Sequence, residues 1–259
     1  MSAKKYKGLE GELYDLFRGG DDLDEIGFYV GMVQQIGGKC LDIGCGTGRV
    51  LIPIAHEGLD ITGLDSSDFM VDACLKKIKE EDLKVNITEG DMVNFDLGKK
   101  FNSLILPGGS FQLIDDRAKA ESALSNFRNH LNEDGVLIIS LFNPFYEISH
   151  ENLDGVWRLE KDKIIDEKGT RALCHTCMEL DRCEQIMEVT HRYEILNNNG
   201  IVEKSEIKNS VIRWYGKYEI ELLLQKAGFS DVKIYGDFQD LDYVDGNMSM
   251  GITLSLIHI

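Results

Sequence analysis

The run Asp42-Ile43-Gly44-Cys45-Gly46-Thr47-Gly48 sets three glycines at alternate positions, directly after a short strand-like stretch, Cys40–Ile43. Glycines in a strand-to-helix turn adopt backbone conformations closed to other residues and let a ligand approach the amides. Dinucleotide-binding loops carry Gly-x-Gly-x-x-Gly. Here the spacing is Gly44-x-Gly46-x-Gly48, position 49 is arginine, and the carboxylate of Asp42 precedes the loop. An anion at that place repels phosphate and attracts an ammonium or sulfonium centre. The competing account is that Asp42 ties the loop through hydrogen bonds.

Two further acids fall at comparable places. Asp65 closes the run Ile61–Leu64, where a carboxylate can bind both hydroxyls of a ribose. A helix cap competes for Asp65, with Ser66 and Ser67 also available. Asp91 follows Glu89-Gly90 after a third run, Val85–Thr88. Alone, Gly-Asp is only a turn. Its meaning comes from being the third acid at consecutive strand ends, the edge where open α/β sheets bind ligands. The segment Cys174-His175-x-Cys177, with Cys183 and His191 beyond it, has the spacing of a zinc ligand pair. Positions 174 and 177 point to opposite faces of a regular strand, and no second Cys-x-x-Cys exists, so no metal is expected. Cys45 reads as a small loop residue, not a nucleophile.

The elements that would position these residues alternate short apolar runs with amphipathic stretches, the pattern of βα units on a parallel sheet. Helices are expected at Gly48–Glu57, Ser67–Glu80, Asp116–Leu131 and Tyr218–Ala227; strands are expected at Ser103–Leu106, Val136–Phe142 and Val232–Tyr235 besides the three above. Between about Val156 and Arg213 the period changes to two. Met187, Val189, His191, Tyr193 and Ile195 alternate with polar neighbours, as in a half-exposed antiparallel strand, and Asn197-Asn198-Asn199-Gly200 is a turn signal. A small antiparallel sheet is thus expected after the fifth parallel strand, with the α/β pattern resuming afterwards.

Together these residues resemble the class I S-adenosylmethionine-dependent methyltransferases. The loop Asp42–Gly48 matches that family's first motif, Asp65 its second-strand acid and Gly90-Asp91-Met92 its adenine-side motif. The stretch Leu106-Pro107-Gly108-Gly109-Ser110-Phe111-Gln112 is similar to the fourth-strand end, and residues 130–144 to the following helix end and fifth strand. The likeness covers about Tyr14 to Pro144 and resumes at Tyr218–Phe238; it speaks for the cofactor and says little of the acceptor. It implies a Rossmann-like, doubly wound α/β fold with a mostly parallel seven-stranded sheet, and S-adenosyl-L-methionine as cofactor. Gly44, Cys45 and Gly46 would then meet the methionine part, with Asp42 on its amino group. Asp65 and Ser66 would serve the ribose, Met70 and Met92 would flank the adenine beside Gly90, and Asp91 would meet its amine. Pro107 would face the sulfonium. Tyr14 and Tyr29 fit a helical lid, although aromatic packing accounts for them equally well, as core packing does for Met70.

Methyl transfer displaces an already activated group, so alignment and exclusion of water supply much of the catalysis. A base is needed only where the attacking atom must lose a proton. No triad or carboxylate pair identifies one, and the catalytic group stays unassigned. Tyr29, Asn143 and His150 are candidates for substrate contact; Glu147 and His175 also lie in or next to the insert. An ordinary structural or surface role competes for each.

The chain has 259 residues, 45 acidic and 28 basic side chains, and a formal net charge of −17. That charge disfavours nucleic acid and anionic membranes as partners. Without an apolar leader or a run near 18 apolar residues, a cytoplasmic protein with six reduced cysteines is expected. The expected organisation is a helical lid over 1–35, a cofactor-binding α/β domain over 36–145 and 216–259, and an antiparallel cap over 146–215. The terminal string Leu-Ser-Leu-Ile-His-Ile resembles a translated sequencing adaptor, so it is expected not to be native. The leading reading is transfer of a methyl group to O or N of a small molecule. A nicotinamide-dependent oxidoreductase is disfavoured by Asp42 and the glycine spacing; a non-catalytic cofactor-binding protein of the same fold is the third class.

Overall fold

The computed structural model describes residues 6–18, 23–150, 153–239, 241–244 and 249–256; part of the adaptor-like string therefore lies outside the described residues. Five strands, β1 (Lys39–Ile43), β2 (Asp60–Asp65), β3 (Asn86–Glu89), β4 (Phe101–Leu106) and β5 (Leu131–Phe142), run parallel in the order β5-β4-β1-β2-β3. The order reverses between β1 and β4, the switch point at whose carboxyl edge open α/β sheets bind ligands.

The expected Rossmann-like α/β layering is present, with a parallel part of five strands. Beyond β5 the sheet continues through β11 (Ser249–Leu256), antiparallel to β5, to β10 (Phe229–Gly236), antiparallel to β11.

Alternate residues of the central strands feed two cores, which is why their sequences are almost continuously apolar. Leu41, Ile43, Leu104, Leu106, Leu137 and Ile139 pack on one side against α6 (Arg117–His130) and α8 (Lys217–Lys226). Cys40, Ile105 and Ile138 pack on the other against α3 (Leu23–Ile36), α4 (Leu51–His56) and α5 (Asp68–Glu80). Capping fixes two of these starts. Ser67 accepts from the Met70 amide before α5, and Asp116 from the Lys119 amide at 2.9 Å before α6. The helix expected from Gly48 begins only at Leu51, because Gly48 has φ +90°, outside helical space.

The second sheet is separate, four-stranded and antiparallel: β6 (Arg158–Ile164), β7 (Arg171–Asp181), β8 (Ile186–Leu196) and β9 (Val202–Arg213). The turn between β8 and β9 is built by Asn197, whose side chain accepts from the amides of Asn199 and Ile201 at 3.0 and 3.1 Å. Two short helices, α1 (Leu9–Glu12) and α2 (Tyr14–Arg18), pack on this sheet through Leu9, Leu13 and Phe17 against Ala172, Cys174 and Tyr193. Its other end rests on Phe142 and on Ile148 of α7 (Phe145–Ser149). Among the described residues no helix is long and apolar enough to cross a membrane.

Candidate cofactor and acceptor site

Beyond β1 the chain turns through Gly44, Gly46 and Gly48, all at positive φ. The amides of Gly44 and Cys45 donate to the Leu64 carbonyl at 2.7 and 3.0 Å, and the Gly46 amide donates to Asp65 at 2.8 Å. Two of the glycines serve different ends. A side chain at Gly48 would meet Cys74 Sγ and Ile52 at 2.8 Å, so this position is required by packing. A side chain at Gly46 would meet nothing nearer than the Tyr14 hydroxyl at 3.9 Å, so this glycine keeps the outer face of the loop open.

Asp42 is buried, 1% exposed, and neither of its carboxylate oxygens has a hydrogen-bond partner. Burial pushes its pKa up to about 8; Arg49 opposes the shift, and Asp65 and Glu25 reinforce it. The loop-tying role considered for Asp42 falls to Asp65 instead. A desolvated carboxylate left without a partner fits a cationic ligand and is incompatible with a phosphate.

Asp65, at the end of β2, accepts from the amides of Gly46 and Ser67, both at 2.8 Å. Burial raises its pKa and these backbone donors oppose the rise. It therefore stiffens the loop and the start of α5 together. Ser66 follows it, half-buried, and Met70 on α5 is fully buried. The Gly90 amide donates to the Asp65 carbonyl at 2.9 Å, which draws the end of β3 to the same edge. Asp91 closes a turn by accepting from Val93 N at 2.9 Å, and Met92 packs half-buried on the core. Pro107 is buried at the end of β4, and its carbonyl accepts from Ser110 Oγ at 2.7 Å.

The N-terminal helices reach this edge. Ser67 Oγ donates to the Tyr6 carbonyl at 2.7 Å, and Tyr6 meets Tyr14 edge-to-face with ring centres 5.5 Å apart. Asp15 of α2 accepts from Thr47 Oγ1 at 2.5 Å and pairs with Lys77 at 2.6 Å. At the far side Leu9 N donates to Glu206 of β9 at 2.6 Å, and Phe17 stacks on Tyr193. One short segment thus spans from the glycine loop to the second sheet.

The three substrate candidates are not brought together. Tyr29 is fully buried, and its hydroxyl donates to the Leu106 carbonyl at 3.1 Å, bracing the end of β4 from below. Asn143 donates to the Tyr243 hydroxyl at 2.5 Å. His150 is exposed and lies 3.1 Å from Ser149 Oγ. Glu147 sits half-buried on α7, and His175 faces Glu194 at 3.4 Å.

Sequence reasoning passed over Glu25. It is 5% exposed, bonds Arg49 at 2.6 Å, and accepts from Gly108 N at 2.7 Å and Ser140 Oγ at 2.8 Å. One ion pair from α3 thereby fixes the glycine loop against the turn after β4. The signal was present: Glu25 precedes Tyr29 and Val33 by four and eight positions, a carboxylate on the apolar stripe of a helix. Gln112 was equally silent. It donates to the carbonyls of Phe142 (2.9 Å) and Arg213 (3.1 Å) and accepts from Phe142 N (2.6 Å), which joins the turn after β4 to both ends of the inserted sheet.

Residues 40–135 match the family model described as a methyltransferase domain. The chain is 22% identical over 205 residues to a putative methyltransferase of Geobacillus sp. (strain WCH70), covering 78% of each. It is 29% identical over 140 residues to the dTDP-3-amino-3,4,6-trideoxy-alpha-D-glucopyranose N,N-dimethyltransferase of Streptomyces venezuelae, covering 52% of this chain and 57% of that one. Among solved structures, the sugar N-methyltransferase KedS8 of Streptoalloteichus sp. shares its fold at a TM-score of 0.75 and 21% identity, over 100% of this chain and 98% of that one. Residues 40–135 are thus a methyltransferase domain, and the chain is an enzyme that uses S-adenosyl-L-methionine as methyl donor.

Proposed function

We propose that this enzyme methylates an amino nitrogen of a compact, polar small molecule enclosed between the glycine loop and the antiparallel sheet. The observation that carries the reading is one face of the second sheet. The face of the second sheet that packs on the N-terminal helices bears Glu160, Thr176, His191 and Glu206, and α1 adds the buried Glu10. Carboxylates in a partly desolvated wall attract a protonated amine and disfavour anionic acceptors. The likeness in sequence to an amino-sugar N,N-dimethyltransferase is in keeping with a nitrogen acceptor.

The division of labour we propose is a lid over 1–35, a cofactor domain over 36–145 and 216–259, and a cap over 146–215. When bound, S-adenosyl-L-methionine supplies an activated methyl group on a sulfonium. Asp42 would hold its ammonium, the backbone at Gly44, Cys45 and Gly46 its methionine part, and Asp65 with Ser66 its ribose. Met70, Gly90, Asp91 and Met92 would enclose the adenine. Pro107 would border the sulfonium, and Tyr14 would close the loop's open face and exclude water. Nucleic acid is not among the proposed partners, given a net charge of −17. Six cysteines, none of them in a disulfide, suit a reducing, cytoplasmic compartment.

The test is transfer of labelled methyl from S-adenosylmethionine to a panel of amino sugars and amino acids, beside the matching hydroxyl-only sugars. Labelling confined to the amines is expected. Labelling confined to hydroxyl compounds would overturn the nitrogen assignment.

A further inference from the structure

The second sheet carries a hydrogen-bonded trio that cofactor binding does not use. Cys174 and Thr176 of β7 stand directly opposite Tyr193 and His191 of β8, so all four side chains share one face. That face packs on the N-terminal helices at one end and on Phe142 and Ile148 at the other, which turns it toward the carboxyl edge of the parallel strands. Between these apolar clusters Thr176 Oγ1 donates to the carboxylate of Glu160 on β6 and lies 2.9 Å from His191 Nδ1. Cys174 Sγ is 3.7 Å from the same nitrogen. A hydroxyl has one proton. With that proton given to Glu160, Thr176 can only accept from His191, so Nδ1 carries the ring hydrogen and Nε2 the lone pair.

Other charged and aromatic groups face this histidine. Lys208, opposite His191 on β9, pairs with Glu206 at 2.6 Å. The Tyr193 ring centre lies 5.7 Å away, and Glu10 of α1 acts on both Tyr193 and Cys174. Thr176 is 2% exposed while His191 is half-buried, so the bridging hydroxyl is enclosed by the sheet.

We propose that His191 is the base that takes the acceptor's proton, with Thr176 and Glu160 as its positioning residues. The proposal rests on the amine acceptor argued above. An N–H bond of the protonated amine breaks, its electron pair stays on nitrogen for attack on the methyl carbon, and an Nε2–H bond forms. His191 becomes an imidazolium whose charge faces Glu160 through Thr176, and its proton passes to solvent after product leaves. Glu160, Cys174 and His191 also present ligand atoms within 4.8 Å of one another, as a divalent metal would require. The hydrogen-bonded arrangement is favoured because Thr176 already bridges carboxylate and imidazole, and burial pushes the Cys174 thiol up to about 11.

Nitrogen-15 spectra of the histidines at pH 8, assigned with His191→Asn, test the tautomer. An Nδ1–H form of His191 that is lost in Thr176→Val supports the relay; an Nε2–H form overturns it. In the amine panel His191→Asn is expected to lower kcat about 100-fold or more, the range of general-base catalysis, with the calorimetric Kd for S-adenosylmethionine unchanged. Transfer to an amine at an undiminished rate in His191→Asn overturns the base assignment alone. If the wild type binds the cofactor but methylates no amine, the amine reading falls and takes the base with it. Stoichiometric zinc by mass spectrometry, lost in Cys174→Ser, overturns the proposal in favour of a metal.

Discussion

At the residue scale the governing feature is Asp42, an acid kept in the interior with no partner of its own. Its pKa of about 8 means that the ligand-free protein holds a proton there that the unfolded chain has lost above about pH 4. Stability contributed at this site is therefore greatest at low pH and falls as pH rises from about 4 toward 8. We expect Asp42→Asn to stabilise the ligand-free protein at pH 8 by roughly 1–3 kcal/mol, the size of one unsatisfied buried polar group, and to do nothing at pH 4. Thermal melts at the two pH values check this. The same variant should bind S-adenosylmethionine at least tenfold more weakly. An ammonium held beside Asp42, as proposed, would stabilise its ionised form, so cofactor binding should release a proton below pH 8 and tighten as pH rises toward 8. Calorimetry at pH 6.5 in buffers of different ionisation enthalpy would detect that proton; equal heats in all buffers would refute the assignment.

At the scale of elements, the glycine loop separates packing from binding. Gly48→Ala should cost about 2 kcal/mol or more of stability, because the new methyl strikes Cys74 and Ile52 and the φ is left-handed. Gly46→Ala should cost only about 1–2 kcal/mol, from φ alone, yet weaken cofactor binding more than Gly48→Ala among the molecules that remain folded. Urea titration and calorimetry on both variants decide the order. The difference shows what sequence could and could not deliver. The spacing of Gly44, Gly46 and Gly48 and the period-two run through Met187–Ile195 are local signals, and they located the loop and the second sheet. Glu25, Gln112 and the trio of Glu160, Thr176 and His191 act only through partners 15 to 115 positions away. No local pattern marks such pairs. The antiparallel return of β11 is of the same kind, since it shows only in its pairing with β5, more than 100 positions earlier.

At the scale of the whole molecule, the N-terminal helices, the loop and the second sheet form a closed circuit: Asp15 to Thr47, the Glu25–Arg49 pair to the turn after β4, Gln112 to β9, and Glu206 back to Leu9. Gln112→Leu leaves the Phe142 amide and two carbonyls without that partner. We expect it to lower stability by about 2–3 kcal/mol and to raise the KM for acceptor more than the Kd for cofactor. Equal changes in both constants would argue against a circuit. The link between Leu9 and Glu206 spans 197 positions, and this bears on the order in which the structure assembles. A contact of that separation is entropically the most expensive to form early, and during synthesis its second partner emerges long after the first. The sheet can therefore consolidate while the first helices are still loose, and those helices are the last part to settle. By the same token they are the first to open: amides of residues 9–18 should exchange with solvent well before those of β1 and β4. If the proposed lid role holds, the opening that admits cofactor is the final step of folding run in reverse.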